Sequence, residues 1–202
     1  MKSAWDRRSH AAPVSGHPRT HAAPGSPLQW IPAFRGAYAA WFETARPLIE
    51  RHDYATAFKT YPWPTFVDSP WTPLETPLTS ARLAVVTTGG LYRRGVDRPF
   101  DADAPAGDTS YRTIPRATPP AALAIAHSHF AHEVAEADMN AIFPLERLEE
   151  LVRAGALGDL APTHYSTMGY ATDAALLAET TAPAIASRMR DEGVDVALIV
   201  PV

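Results

Sequence analysis

Three short, unbroken apolar runs constrain the fold of this chain more than any other feature of its sequence. They are ARLAVVTT at residues 81–88, AALAIAHS at 121–128 and VDVALIV at 194–200. Runs of this length without polar alternation suit strands buried on both faces, as in a parallel sheet. Helical patterns lie between them. Residues 145–154 begin behind Pro144 and end at Gly155, and residues 173–192 open on a capping Asp173 and stop at Gly193. Strands alternating with helices predict an α/β layered fold, a mostly parallel sheet flanked by helices. Ligands bind such sheets beyond the carboxyl ends of the strands, which directs attention to the loop after Thr88, the segment after His127 and whatever follows Val202.

The N-terminal part has a different texture. Eleven of the chain's twenty prolines fall in residues 1–80, and residues 1–30 are mostly Ala, Pro, His, Ser, Gly and Arg with little to bury, so a disordered tail is expected there. Its basic excess suits an unstructured leader, a targeting peptide or a phosphate-binding arm. A single domain over residues 31–202 is expected to follow. Across residues 34–58, apolar and aromatic side chains recur at helical spacing, with Pro47 expected to split or kink the helix. Residues 61–77 hold too many prolines for a helix or an inner strand, and Trp63, Phe66 and Trp71 are expected to lie across the domain as an apolar strap.

Several function classes are disfavoured by composition. A net charge of −4 gives nucleic-acid binding no electrostatic support. The chain has no cysteine, so it carries no disulfide, thiolate metal site or cysteine nucleophile of its own. No apolar run is long enough to span a membrane and no signal-peptide core is visible, which makes a cytoplasmic protein without membrane attachment the expectation. Gly89-Gly90 lacks the glycine spacing and the lysine of a nucleotide loop.

Three stretches could carry chemistry. The richest runs from His127 through His129 and His132 to Asp138 and Asn140. If the strand persists to His129, His127 and His129 share a face and, with Asp138, have a workable metal-ligand spacing. The same residues also suit a polar substrate pocket, or plain capping and turn hydrogen bonds around Asp138 and Asn140. The second stretch is Gly107-Asp108-Thr109-Ser110-Tyr111-Arg112, where Arg112 could meet a substrate carboxylate or simply close a turn. The third is His164-Tyr165-Ser166, read as a polar loop between two helices, with His164 as a general acid or base and its neighbours as hydrogen-bond donors. Ser166 has no Gly-x-Ser-x-Gly frame, which leaves a serine hydrolase unsupported.

Together these motifs resemble the glycine/sarcosine/betaine reductase selenoprotein B family, which includes the D-proline reductase selenoprotein subunit. The resemblance runs from residue 80 to 202 and is carried by VVTTGGLY at 85–92, GDTSYR at 107–112, His127, DMNAIFPLERLEEL at 138–151, GALGDLAPTHYSTMG at 155–169 and VDVALIVPV at 194–202. It implies reductive cleavage of a small amine or amino-acid-like substrate by a selenocysteine or cysteine, with electrons from a thioredoxin-like dithiol donor. It also implies His127, Asp138 and His164 as catalytic residues, and Asn140, Tyr165, Ser166 and Arg112 as substrate-binding ones. Self-association into a homo-oligomer is left open.

The sequence departs from that pattern in one place. Family members continue from a strand like VDVALIVPV into the redox motif, whereas this sequence reaches Val202 without a cysteine. The expectation is therefore that a selenocysteine or cysteine lies beyond Val202, the former encoded by a UGA read as a stop. Two other readings stand beside the reductase. One is a non-redox metalloenzyme built on His127, His129 and Asp138, and the other is a non-catalytic substrate-binding subunit.

Overall fold

The computed structural model describes residues 28–65 and 72–202. The expected tail lies outside these residues except for 28–30, a turn from which Trp30 packs edge-on against Phe34, and Phe66 and Trp71 of the expected strap also lie outside them. Trp63 is exposed and rests against Tyr61 and Phe58.

The chain begins with helix α1 (Ile31–Glu50) and the short α2 (Tyr54–Ala57). Strands β1 (Arg82–Thr87), β2 (Leu91–Arg93), β3 (Tyr111–Pro115) and β4 (Leu123–Ile125) follow. Next come α3 (Glu133–Ala137), α4 (Leu145–Arg153), β5 (Asp159–Leu160) and β6 (Thr163–Thr167). The last part is α5 (Ala174–Leu176), a π-helical turn at Leu177–Thr181, α6 (Ala182–Asp191) and β7 (Val196–Val200).

Pro47 does not split α1. It sits on the exposed face of the last turn, where the carbonyl that loses its amide partner belongs to the exposed Glu43 and water can reach it. The helix ends instead at Glu50, where His52 N–H donates to Ile49 O and Asp53 N–H to Leu48 O, both at 2.8 Å. That pair of bonds is a Schellman stop, with His52 in the left-handed conformation.

Strand β1 is the centre of the main sheet. It pairs in parallel with β7 along one edge and, along the other, with β5 near its start and β6 near its end. β3 lies antiparallel on the outer side of β6, so the sheet is mostly parallel, as its sequence pattern predicts. On one face Leu83 and Val85 of β1 meet Leu145 and Leu148 of α4, together with Ile114, Leu157 and Leu160. On the other face Ala84 and Tyr165 meet Ile185 and Met189 of α6. Full burial of one such aliphatic side chain contributes about 1.5–3 kcal/mol, which anchors a helix on each face. The aromatic face of α1, with Phe34, Trp41 and Ile49, closes over Tyr61 and Ala175.

The second apolar run is not a parallel strand of this sheet. Pro119 and Pro120 lead into a short 3₁₀ turn, and only Leu123–Ile125 extends, pairing antiparallel with β2 in a separate two-stranded sheet. Hydrophobicity records burial but not strand direction. Two further strands, β3 and β6, form where turn and loop were expected; the inward polar groups of β6, His164 and Ser166, find backbone partners inside the sheet. Among the described residues no helix is long and apolar enough to cross a membrane.

Gly90 makes the connection possible. Its φ is +66°, and a Cβ there would lie 2.6 Å from Ala126 O and 2.9 Å from His127 Cβ. Gly90→Ala should cost about 2–4 kcal/mol, the left-handed penalty plus a backbone displacement. Urea unfolding of the two proteins at pH 7 measures it, and a difference below 1 kcal/mol (about the left-handed penalty alone) contradicts the packing described.

Candidate functional site

The carboxyl ends of β1, β6 and β7 meet at the loop formed by Thr87, Thr88, Gly89 and Gly90. Thr87 Oγ1 accepts from Gly89 N–H, Thr88 N–H donates to Val200 O, and Val202 N–H donates to Thr88 Oγ1. On the other side Gly90 N–H donates to Thr167 O and Leu91 N–H to Ser166 Oγ. The loop is thereby tied to both neighbouring strands.

His127, two residues past β4, comes down onto this edge with only 4% of its surface exposed. Its Nδ1 accepts the His129 N–H at 3.2 Å, so the ring proton sits on Nε2, and that buried N–H has no partner. It lies against Gly169, where an added Cβ would be crowded, 3.0 Å from Nε2, 3.1 Å from Val202 O and 3.2 Å from Thr88 O. Burial, reinforced by His129 and His132, pushes the His127 imidazole down to about 4. At neutral pH it is an uncharged donor, and a buried unmet donor costs about 1–3 kcal/mol.

Beside it opens a cavity of ≈ 680 Å³ lined by His52, Tyr54, Asp103, His129, Phe130 and Tyr170, among others. The His129 ring lies flat on Tyr170, with centroids 4.0 Å apart and planes 12° apart, and its Nε2 is 3.2 Å from Tyr54 Oη. His132 holds the backbone of the same segment, its Nε2 2.6 Å from His127 O.

The remaining expected residues lie elsewhere. His164, Tyr165 and Ser166 form a strand rather than a loop, and alternation separates them. His164 is fully buried in β6, with Nδ1 accepting from Val85 N–H at 3.1 Å, and burial pushes it too down to about 4. Ser166 Oγ accepts from Leu91 N–H at 2.7 Å. Tyr165 points to the opposite face under α6, where burial raises its hydroxyl to about 12. The Arg112 guanidinium is used within its own loop, donating to Arg98 O, Pro99 O, Ser110 Oγ and Tyr111 O while lying over Phe100. Asp138 accepts from Asn140 N–H and Nδ2, and Asn140 also joins to Glu146, an arrangement that caps the entry to α4. These two line a different cavity, ≈ 770 Å³, together with Arg94, Arg116 and Glu149. Among the described residues no three His, Asp or Glu side chains gather as a metal-binding group, so the His127, His129 and Asp138 alternative is not assembled.

The chain matches the model of the glycine/sarcosine/betaine reductase selenoprotein B family over residues 48–201. The chain belongs to this family. It is 31% identical over 129 residues to the D-proline reductase subunit gamma of Acetoanaerobium sticklandii, an alignment covering 64% of this chain and 52% of that protein. It is 28% identical over 175 residues to the glycine reductase complex component B subunit gamma of Symbiobacterium thermophilum, covering 83% of this chain and 38% of the relative. The chain thus spans about half or less of the length of these two relatives. No solved structure matches it. Sequence reasoning missed His52, Tyr54, Tyr170 and Gly169. The first three lie far from His129 along the chain and meet it only through the fold. Gly169 is marked by the absence of room for a side chain against His127.

Two buried neutral histidines make stability depend on pH in a definite direction. In the unfolded chain His127 and His164 titrate near 6.5, and in the folded chain near 4. Stability is therefore complete above pH 6.5 and falls as pH drops toward 4, because only the unfolded chain takes up these protons, for a total loss of roughly a few kcal/mol. His164→Asn, which keeps an acceptor for Val85 N–H, should remove about half of the slope between pH 6.5 and 5. Denaturant unfolding across that range tests it, and an unchanged slope contradicts the assignment.

Proposed function

We propose that this chain forms the substrate-facing wall of a reductase that cleaves a carbon–nitrogen bond in a small amine or amino-acid-like molecule, with electrons from a thioredoxin-like dithiol donor. The observation that carries this reading is the unpartnered Nε2–H of His127, buried against Gly169 where the parallel strands end. Family membership supplies the reaction class, and the relatives' names place them in reductases of D-proline and glycine.

A selenocysteine or cysteine following β7 is the redox group this reading calls for. The residues present fit it: the neutral, unpartnered Nε2–H of His127 lies against Gly169, where an added Cβ would stand 3.0 Å from that nitrogen and 3.1 Å from Val202 O, so the donor sits close to where the chain leaves β7. A selenol there would supply an ionised nucleophile near neutral pH and the route by which the dithiol's two electrons reach the substrate. The protein's own contribution is placement. His127 would offer its Nε2–H to the anion, with its ring locked by the His129 amide. The loop at Thr87 and Thr88, tied to both β6 and β7, fixes the edge against which substrate lies. Asp138 and Asn140 act by holding the start of α4, and His164 and Ser166 by closing the sheet beneath the site. A cytoplasmic setting, where thiols are kept reduced, suits a dithiol-driven reaction.

A metal-dependent reading draws no support from the geometry. A substrate-binding subunit without turnover is the outcome that would replace the reductase. Extending the coding sequence past codon 202 should reveal a UGA or cysteine codon in frame. With the resulting polypeptide and its partner subunits, dithiothreitol-driven release of amine should be measurable, and His127→Ala should reduce it about 100-fold. Wild-type turnover in the His127→Ala protein, or ligand binding with no amine released by the wild type, overturns this function.

A further inference from the structure

The cavity beside His127 contains a continuous hydrogen-bonded line whose proton positions follow from a single anchor. The Ser128 hydroxyl donates to the Ala102 carbonyl at 2.8 Å, so its oxygen can only accept from His129 Nδ1, 3.3 Å away. His129 then carries its proton on Nδ1, which leaves Nε2 as an acceptor. Tyr54 Oη, 3.2 Å from Nε2, must donate to it. The Tyr54 oxygen is then free to accept, and its other neighbour, His52 Nδ1 at 3.1 Å, must donate. Every bond points the same way, from the exposed His52 inward to Ala102.

His52 stands in the left-handed position that ends α1, with φ at +65°. Glycine fills that position at least cost, and a residue with a Cβ pays roughly 1 kcal/mol to be there. Here the side chain has a use, since the turn carries the imidazole to the mouth of the cavity and onto Tyr54. At the inner end, Tyr170 supports one face of His129, and the His129 amide orients His127. The charged and titratable groups facing His129 are His52 and Tyr54 from the end of α1 and from α2, Asp103 from the loop before β3, His127 from its own segment, and Tyr170 after β6. His52 and burial lower the His129 affinity for a proton, while Asp103 raises it.

We propose that His52, Tyr54 and His129 form a proton-delivery line from solvent into this cavity, ending at His129 as the proton donor to the nitrogen that leaves a bound substrate. The final clause rests on the reductase function above, whereas the line itself does not. Each delivery moves one proton and no electrons. His52, first charged by a proton from water, gives its Nδ1 proton to Tyr54 Oη as Tyr54 gives its own to His129 Nε2, and the resulting His129 imidazolium gives up its Nδ1 proton, otherwise held by Ser128 Oγ, to the departing nitrogen. His52 is left neutral with its proton on Nε2, and exchange with water returns both rings to the Nδ1–H tautomer. The electrons that break the carbon–nitrogen bond come separately, from the dithiol.

The line is tested on the 202-residue chain by ¹⁵N NMR of its histidines against pH. Neutral His129 should be the Nδ1–H tautomer. Tyr54→Phe, which keeps the ring and removes the hydroxyl, should slow proton exchange at His129 about tenfold, with the circular dichroism spectrum unchanged. An Nε2–H tautomer, or an unchanged exchange rate in the variant, overturns the line. In the reconstituted reductase, Tyr54→Phe should lower kcat about tenfold at unchanged KM and shift the basic limb of the pH profile downward. A variant with wild-type kcat and pH profile overturns delivery to substrate while leaving the reductase function intact. Absence of turnover in the wild type counts against that function, and the NMR result still decides the line.

Discussion

Strand β1 is the one element that β5, β6 and β7 all bind, and its edge toward β5 and β6 is interrupted. The β5–β6 segment pairs with β1 at Leu83 and again at Val86, with Ala161 and Pro162 between the two strands. In that interval Val85 N–H would be buried without a backbone acceptor. His164 Nδ1 reaches across and takes it. One side chain thus completes the ladder on which both helix layers and the carboxyl-edge loop rest. Because the imidazole must keep Nδ1 unprotonated to accept, burial and function of the bond impose the same neutral state.

Two of the chain's histidines are therefore held uncharged for different ends. At His164 the accepting nitrogen is used and the other lies sealed in the core against Phe143. At His127 the accepting nitrogen is also used, by the His129 amide, but the remaining N–H lies against Gly169 at the carboxyl edge of the sheet. The chemistry of the rings is the same, and the surroundings of the second nitrogen distinguish a structural group from one available to a ligand. Spacing in sequence cannot make that distinction, which is why both were expected to be catalytic on equal terms.

The legible parts of the fold were those in which burial on both faces leaves an unbroken apolar run. Residues 81–88 and 194–200 lie side by side in the sheet as expected, and α4 begins and ends at its Pro and Gly signals. Direction was not legible, so residues 121–128 read as parallel although β4 pairs antiparallel with β2. Strand β6 was hidden because its inward residues, His164 and Ser166, are polar and become apolar in effect only once Val85 and Leu91 amides satisfy them. Of the candidate site, His127 stood out in the sequence. Its neighbours His52, Tyr54 and Tyr170 did not, since no local pattern places an α1 terminus against a loop more than seventy residues away.

The arrangement around His127 also separates two tasks that one histidine could not perform together. A group that stabilises an anion by an N–H bond must not give its proton away, and its depressed basicity suits it to that role, because a weakly basic ring stays neutral through the working pH range. A group that delivers protons must cycle, which requires access to solvent and a partner that reloads it. His129 meets that requirement through Tyr54 and the exposed His52, while the backbone between His127 and His129 joins the two rings mechanically without offering a proton path between them. The His127 hydrogen bond can therefore hold its orientation while the line beside it changes charge. Both rings are set by one short segment, residues 127–129, so a shift that realigned one would misalign the other, and in the function proposed above this would couple anion binding to proton supply at the sheet's edge.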